Sequence, residues 1–347
     1  MNKAIYLPSL QLSIFIKNIL LKAGVREDVA HFVTEGLIQT SLRGVDSHGV
    51  RLLPHYLKAL KGGRINSNPQ YAFHQTSPST GMFDVDHTFG HAAGMEAAKK
   101  AILLAKEAGS GHVAIYNSTH FGAAAYYSLE IAKHDMIGMS FTNTDALIKT
   151  YGGKRPFLGN NPICMAVPCD GEEPFCLDMA TSQMTFNKVK QFEQEGKQLP
   201  QGVGFDKDGI ETTNSKEVTM LSPIGGYKGY GLSMMVEILC SLLTGMPYGP
   251  YIPKMFEAPL NQKRFLGHFV MALRIDCFQE ISVFKKRLSQ MIQELRKEPK
   301  MDDSMPIQIP GDPEKKIFEV RKREGIPIPE KEYLILQSLG SEYEIVL

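Results

Sequence analysis

Two short stretches hold the residues best suited to moving a proton: Asp46-Ser47-His48-Gly49 and Asn117-Ser118-Thr119-His120-Phe121-Gly122. Imidazole takes or gives a proton near neutral pH. A neighbouring hydroxyl can hydrogen-bond the ring or a substrate oxygen, and glycine lets backbone and ligand come close. Two such stretches suggest a pocket for acid–base chemistry on a small, oxygen-rich substrate. They would equally suit two loop histidines that only hydrogen-bond to the backbone, and the local pattern leaves both readings open.

Composition narrows the setting. A chain of 347 residues exceeds the usual single-domain size, so two or three lobes are expected. Its residues are 43% hydrophobic, enough for a real core. The 38 basic and 37 acidic residues leave a net charge of +1, which draws the chain neither to nucleic acid nor to an anionic membrane. Cys164, Cys169, Cys176, Cys240 and Cys277 are odd in number and contain no C-x-x-C pair. They read as buried free thiols in a reducing compartment, and a cytoplasmic protein is expected. Leu10 to Leu21 is interrupted by Lys17 and Asn18 and lacks a cleavage site. Tyr230 to Met246 is short for a membrane span and holds Glu237, so it reads as a core helix.

The elements that must carry the two histidines follow from periodicity. Helices are expected after a Ser9 cap, over Arg26 to Leu42, and from Ser47 onward. Gly94 to Gly109 predicts another helix, as do Ala123 to His134, Tyr230 to Leu243 and Glu280 to Lys297. Strands are expected at His112 to Tyr116, Ile137 to Thr142, Ile163 to Val167, Phe175 to Leu177 and Phe265 to Arg274. From Met301 the prolines predict an extended arm, lying across a lobe or a second subunit or left as a solvated tail. The expected division is a helical lobe over 1–75, a sheet domain with a helical insertion over 76–300, and an arm over 301–347. The mixture predicts an α/β or α+β protein.

Familiar signatures are missing. No G-x-G-x-x-G follows a strand, no G-x-x-x-x-G-K-[ST] exists, and neither H-E-x-x-H nor G-x-S-x-G occurs. A Rossmann crossover, a hydrolase nucleophile and a metal site are therefore unsupported. Two small-residue places remain: Leu177-Asp178-Met179-Ala180-Thr181-Ser182, and Pro223 to Gly231 running into a helix. Free N–H groups at a helix start, with Lys228 beside them, suit an anion. Glycines before a helix also serve as plain turn devices.

Taken together, the chain resembles the type 2 malate/L-lactate dehydrogenase family, with its ureidoglycolate, sulfolactate and diketogulonate relatives. Seven segments match in order: Leu42 to Gly49; Ser118 to Gly122 with Tyr126-Tyr127; Ile137-Gly138 leading to Thr142-Asn143-Thr144; Gly152-Gly153 with Leu158 to Pro162; Asp178 to Ser182; Gly225 to Gly231; and Pro310-Gly311-Asp312. They span roughly residues 10 to 325. The resemblance implies a non-Rossmann, largely antiparallel sheet flanked by helices, a mainly helical lobe, and a homodimer with the active site near its interface. It implies that His48, with Ser47, and His120 are the acid–base residues. Thr144, Asp178, Met179, Ala180, Lys228, Gly229, Gly311 and Asp312 fall where relatives contact NAD or NADP.

Two departures stand out. Relatives carry an arginine four residues past the first histidine, where this chain has Leu52 and places Arg51 one earlier. On a helix the two positions lie on a similar face, so Arg51 could hold a substrate carboxylate, with Thr144 as a further substrate contact. Phe186 to Gln198 also lacks the small residues of relatives. The expected function is an NAD(P)-dependent oxidoreductase interconverting a small 2-hydroxy acid and its 2-oxo acid. Ureidoglycolate, sulfolactate, a keto-sugar acid or a cyclic imino acid are alternative substrates, and a binding protein without turnover is the alternative class.

Overall fold

The computed structural model describes residues 4–347. A short strand, β1 (Ala4–Leu7), precedes a helical lobe of α1 (Ser9–Lys22), α2 (Glu27–Leu42) and α3 (Leu53–Lys61). Leu12, Phe15, Ile16, Ile19 and Leu20 recur at helical spacing on α1, and all are buried. Pro8 rather than Ser9 takes the cap position. The third helix starts later than its sequence suggests, because two 3-10 turns, Asp46–His48 and Val50–Leu52, flank an extended Gly49.

The sheet domain then begins with a hairpin of β2 (Ala72–Ser77) and β3 (Thr80–Asp84). Helix α4 (Gly90–Ala108) crosses over to β4 (Ser110–Ser118), which lies parallel to β3. α5 (Ala125–Ala132) and β5 (Met136–Thr142) follow. The short β6 (Ile148–Lys149) and β7 (Pro156–Leu158) precede an antiparallel pair, β8 (Ile163–Val167) and β9 (Phe175–Met179). An insertion carries α6 (Phe186–Gln194), β10 (Gly204–Phe205), β11 (Glu211–Thr212) and β12 (Met220–Leu221) around its own small core of Val189, Leu199, Val203, Val218 and Leu221. α7 (Tyr227–Glu237) continues through a π-helical turn at Ile238–Leu242. The chain ends with β13 (Leu266–Arg274), α8 (Ile281–Arg296), α9 (Asp312–Glu324), β14 (Ile326–Pro329) and α10 (Glu330–Glu342).

Seven strands make the main sheet, in the order β2-β3-β4-β13-β5-β8-β9. Among the described residues its one parallel pairing is β3 with β4, spanned by α4, and every other neighbour is antiparallel. This is the mixed α/β, largely antiparallel, non-Rossmann sheet that the resemblance implies. β6, β7, β10, β11 and β12 form a second, five-stranded sheet beside it. No helix among the described residues is long and apolar enough to cross a membrane.

The prolines after Met301 mislead. Instead of an extended arm, two helices and a strand form, and β14 pairs antiparallel with β1. Ile326, Ile328 and Leu336 join Leu12, Phe15 and Leu37 in the core of the helical lobe. Pro327 and Pro329 are tolerated because β14 is an edge strand with one partner. Hairpin β2–β3 is absent from the sequence reading: β2 is exposed at almost every position and shows no alternation. Four of the five cysteines lie wholly or partly inside, but Cys277 is exposed.

Ile326 is fully buried where the C-terminal strand closes the lobe. Ile326→Ala is expected to cost about 2–5 kcal/mol of stability, by lost transfer energy plus a cavity, as read by chemical denaturation.

Candidate active site

His48 ends the 3-10 turn that follows α2, and Ser47 Oγ hydrogen-bonds its Nδ1 at 2.8 Å. His120 stands in the loop leaving β4. Its Nδ1 meets the Tyr56 hydroxyl of α3 at 2.7 Å. The two imidazoles stack, with centroids 5.5 Å apart and planes 16° from parallel. A third imidazole, His91, lies behind them in the first turn of α4, edge-on to Tyr56 at 5.4 Å and 88°. Two chain segments more than a domain core apart in sequence thus deliver one polar cluster.

Close backbone contact makes the cluster possible. A methyl group on Gly90 would collide with the His120 carbonyl, and one on Gly122, whose φ is +77°, would lie 2.5 Å from His91 Nε2. The start of α4 therefore fits directly under the His120 loop. Tyr127 buttresses the other side, its hydroxyl donating to the carbonyls of Gly90 and Phe121. Gly90 N–H donates to Thr119 Oγ1 at 3.2 Å, and that hydroxyl donates to the Thr88 carbonyl at 2.8 Å.

Burial sets the charge state. Desolvation, with help from the Arg51 charge, lowers the His48 pKa to about 4. Desolvation holds His120 well below the ordinary value, and His48, Arg264 and His91 add to it. His91 falls to about 3, again by desolvation first. The pair is neutral at physiological pH. His48 and His120 nonetheless keep part of their surface open to solvent, so they lie in a recess, and each has Nε2 free of protein partners.

The cofactor segments form a second cluster, stitched by backbone bonds. Asn160 is the hub: its N–H donates to Thr144 Oγ1 at 2.9 Å, and its carbonyl accepts from Thr181 N and Oγ1 at 2.8 and 2.9 Å. Thr181 follows Asp178-Met179-Ala180, and its carbonyl accepts from Ile224 N at 2.9 Å, just before Gly225 and the start of α7. Lys228 is exposed in the first turn of that helix and Gly229 is buried against Ile224. Pro310 accepts from Cys176 N at 3.3 Å, bringing Gly311 onto β9. Asp178 Oδ2 accepts from Ala125 N at 2.9 Å, which ties this cluster to the chain leaving the His120 loop. Crowding by protein raises the Asp178 pKa to about 6, although the residue is open to solvent, so it too lines a cleft.

Some expected contacts are committed elsewhere. The Asp312 carboxylate is held by Arg296 at 2.7 Å and by Ile309 N at 3.1 Å. Thr144 N donates to Asn161 Oδ1 at 3.1 Å, so Thr144 is fixed at both ends. Asn161 in turn donates to the buried Glu237 at 2.6 Å. Arg51 is half-exposed and lies 3.8 Å from Glu332 of α10, whereas Leu52 is buried. The two do not share a face, because successive residues of a helical turn point about 100–120° apart. Sequence reading missed Tyr56, His91 and the buried Arg264, which pairs with Asp145 and donates to the Pro253 carbonyl at 2.9 Å. No local pattern marks them, since each depends on contacts between distant segments.

Two neutral, hydroxyl-supported imidazoles thus share a recess beside a cleft of small residues on a non-Rossmann frame. The profile of the malate/L-lactate dehydrogenase family matches residues 8–337, and the chain belongs to that family of hydroxy-acid dehydrogenases. It is 37% identical over 335 residues to a malate dehydrogenase of Pyrococcus abyssi, covering 94% of this chain and 91% of that one. It is 31% identical over 280 residues to a ureidoglycolate dehydrogenase (NAD(+)) of Escherichia coli, covering 81% and 80%. The sulfolactate dehydrogenase structure from Methanocaldococcus jannaschii superposes with a TM-score of 0.92 at 32% identity, over 99% of this chain and 98% of that one.

The histidines carry a stability consequence. Unfolded, they bind protons near 6.5, whereas folded His48 and His55 do so near 4 and His91 and His268 near 3. Below 6.5 the unfolded chain binds more protons, so stability is complete above that pH and is lost as pH falls toward 4. Denaturation midpoints are expected to drop steeply between pH 6.5 and 4, and less steeply in His91→Gln.

Proposed function

We propose that this dehydrogenase uses NAD or NADP to interconvert a small 2-hydroxy acid of the malate/lactate type and its 2-oxo acid, with His48 and His120 exchanging the substrate proton. The observation that carries this is the stacked, neutral pair with each Nδ1 bound to a hydroxyl and each Nε2 free. Neutral imidazole is a base able to take the hydroxyl proton at Nε2. Ser47 and Tyr56 keep each ring aimed while that happens, in the manner of an orienting third group. A substrate carboxylate brought beside the rings favours their charged forms, so proton uptake accompanies binding of the oxo acid. Arg51, whose contact to Glu332 is long, is the cation we assign to that carboxylate, with Thr144 at the edge of the same cleft.

The cofactor cleft suits a dinucleotide. Asn160 Oδ1 and Ser182 Oγ are buried there without partners, and the exposed Lys228 flanks the helix start. When bound, the nicotinamide supplies the hydride acceptor or donor. The residues assigned to hold it are Thr144, Asp178, Met179, Ala180, Lys228, Gly229, Gly311 and Asp312, the last through its backbone. A malate, sulfolactate or ureidoglycolate substrate is chosen by side chains around Arg51 and the histidines.

The homodimer reading rests on the α7 face. Tyr227, Met234, Met235, Ile238 and Leu242 recur at helical spacing and are all exposed, while Ser233, Glu237 and Ser241 face inward. An apolar stripe of that size marks an interface, and we assign it to a second copy of the chain. Unpaired cysteines suit a cytoplasmic enzyme. The working division is a helical lobe with the 301–347 segment bearing His48, and a sheet domain bearing His120 and the cofactor residues.

His48→Ala and His120→Ala are each expected to lower turnover of a 2-oxo acid with NADH or NADPH by about two orders of magnitude, with the fold retained by circular dichroism. Wild-type rates in both would remove the catalytic reading. Lys228→Met is expected to weaken NADH or NADPH binding in a fluorescence titration without lowering the thermal midpoint. An unchanged dissociation constant would leave the glycine-rich segment a packing device.

A further inference from the structure

Helix α9 touches both halves of the site. Its start is fastened to β9 through Pro310 and Gly311, where a Cβ on Gly311 would lie 3.2 Å from the Cys176 carbonyl, two residues before Asp178. Lys315 reaches Glu172 at 3.3 Å on the β8–β9 turn. Two residues on, Ile317 seats against Gly44: with the Gly44 φ at +82°, a Cβ there would come within 2.9 Å of the isoleucine. Near the far end, Arg321 donates to both carboxylate oxygens of Asp46, at 2.6 and 2.9 Å, and to the Ser41 carbonyl at 2.5 Å. Asp46 opens the 3-10 turn that carries Ser47 and His48.

The chemistry of this contact is specific. A guanidinium fork that binds one carboxylate through two parallel bonds fixes direction as well as distance. The Arg321 side chain is 14% exposed and that of Asp46 44%, so the pair lies at the surface with the guanidinium partly covered. Between Gly44 and His48 the chain has no regular α-helix or strand of its own to hold it. Local turn bonds, from Val45 N to the Thr40 carbonyl and from His48 N to the Val45 carbonyl, shape it, and Arg321 grips it from outside.

We propose that Arg321 is a positioning residue: through Asp46 it sets the placement of His48, and α9 is the strut that fixes the spacing between the histidine pair and the cofactor segments on β9. The inference rests on the reading of His48 as a group that meets the substrate. A displacement of about 1 Å at a reacting group costs on the order of a hundredfold in rate. An ion pair of this kind adds little to stability. The two effects therefore separate.

The test uses the full chain with Arg321→Gln, Arg321→Lys, Asp46→Asn and the double variant Arg321→Gln/Asp46→Asn. Steady-state kinetics with 2-oxo acids, NADH and NADPH titrations, thermal midpoints, and NMR titration of the His48 ring are the readouts. Arg321→Gln and Asp46→Asn are each expected to lower kcat by about tenfold or more, with cofactor affinity and thermal midpoint little changed. The double variant should be no worse than either single one, because the pair acts as a unit. Arg321→Lys should recover only part of the loss, since an ammonium cannot reproduce the fork. Loosening the turn should also admit water to His48, moving its ring titration up from about 4 toward the ordinary value against the unchanged neighbours Arg51, His91 and His120.

An unchanged kcat and ring titration in folded Arg321→Gln would overturn the proposal. So would a collapse of the thermal midpoint in Asp46→Asn as well as in Arg321→Gln, which would make the pair a fold clamp. If the wild type reduces no 2-oxo acid, the functional reading fails by itself. The His48 ring titration still decides whether Arg321 positions that residue.

Discussion

The closeness of the start of α4 to the His120 loop is the constraint on which the site depends. Gly90 leaves no room for even a methyl group against the His120 carbonyl, and His91 fills the space beside Gly122. Because α4 is the crossover between the parallel strands β3 and β4, its position is dictated by the sheet. The sheet thereby sets the height of the loop, the loop sets His120, and Tyr56 carries that placement into the helical lobe at 2.7 Å. A fold of ordinary antiparallel hairpins would have no helix start at that point. The parallel β3–β4 pairing is what brings one there.

A second constraint keeps the cofactor side in register. Glu237 is buried in α7 and accepts from Asn161 at 2.6 Å, Ser241 at 2.9 Å and Gly249 N at 3.0 Å. A buried carboxylate so surrounded satisfies its lone pairs, and its loss would strand several donors. Ser233, Glu237 and Ser241 point inward beside the buried Val236 and Cys240, while the outer face is also apolar. The inward network fastens α7 to the Thr144 loop. The outward stripe is left for another surface to cover.

Much of this was legible in the sequence, for reasons that differ by element. Ile163–Val167 and α1 have strong apolar periodicity, and tertiary structure agrees with it. His48 and His120 were recognisable by residue type beside hydroxyl groups and glycine, and the order of seven segments pointed to the family. Their stacking was not legible, because it depends on two lobes meeting. β2 escaped notice since nearly all of its side chains are exposed. The prolines of the last segment suggested extension, yet Pro313 lies in the first turn of α9, where a missing N–H costs nothing. Arg51 and Leu52 cannot share a face in any helical turn, since consecutive residues point about 100–120° apart, and here Leu52 is buried while Arg51 is half-exposed.

The pairing of β1 with β14 also governs the order of folding. Residues 4–7 and 326–329 lie almost the whole chain apart, so their contact must offset a long loop closure before it can be rewarded. The main sheet is built from intervening segments and can form while the last part is still being made. The helical lobe cannot complete its core until Ile326, Ile328 and Leu336 leave the ribosome. The lobe that carries His48 is therefore the last part of the chain to close its core. A chain broken off before Ile326 keeps both histidines but lacks the strand that closes the lobe carrying one of them.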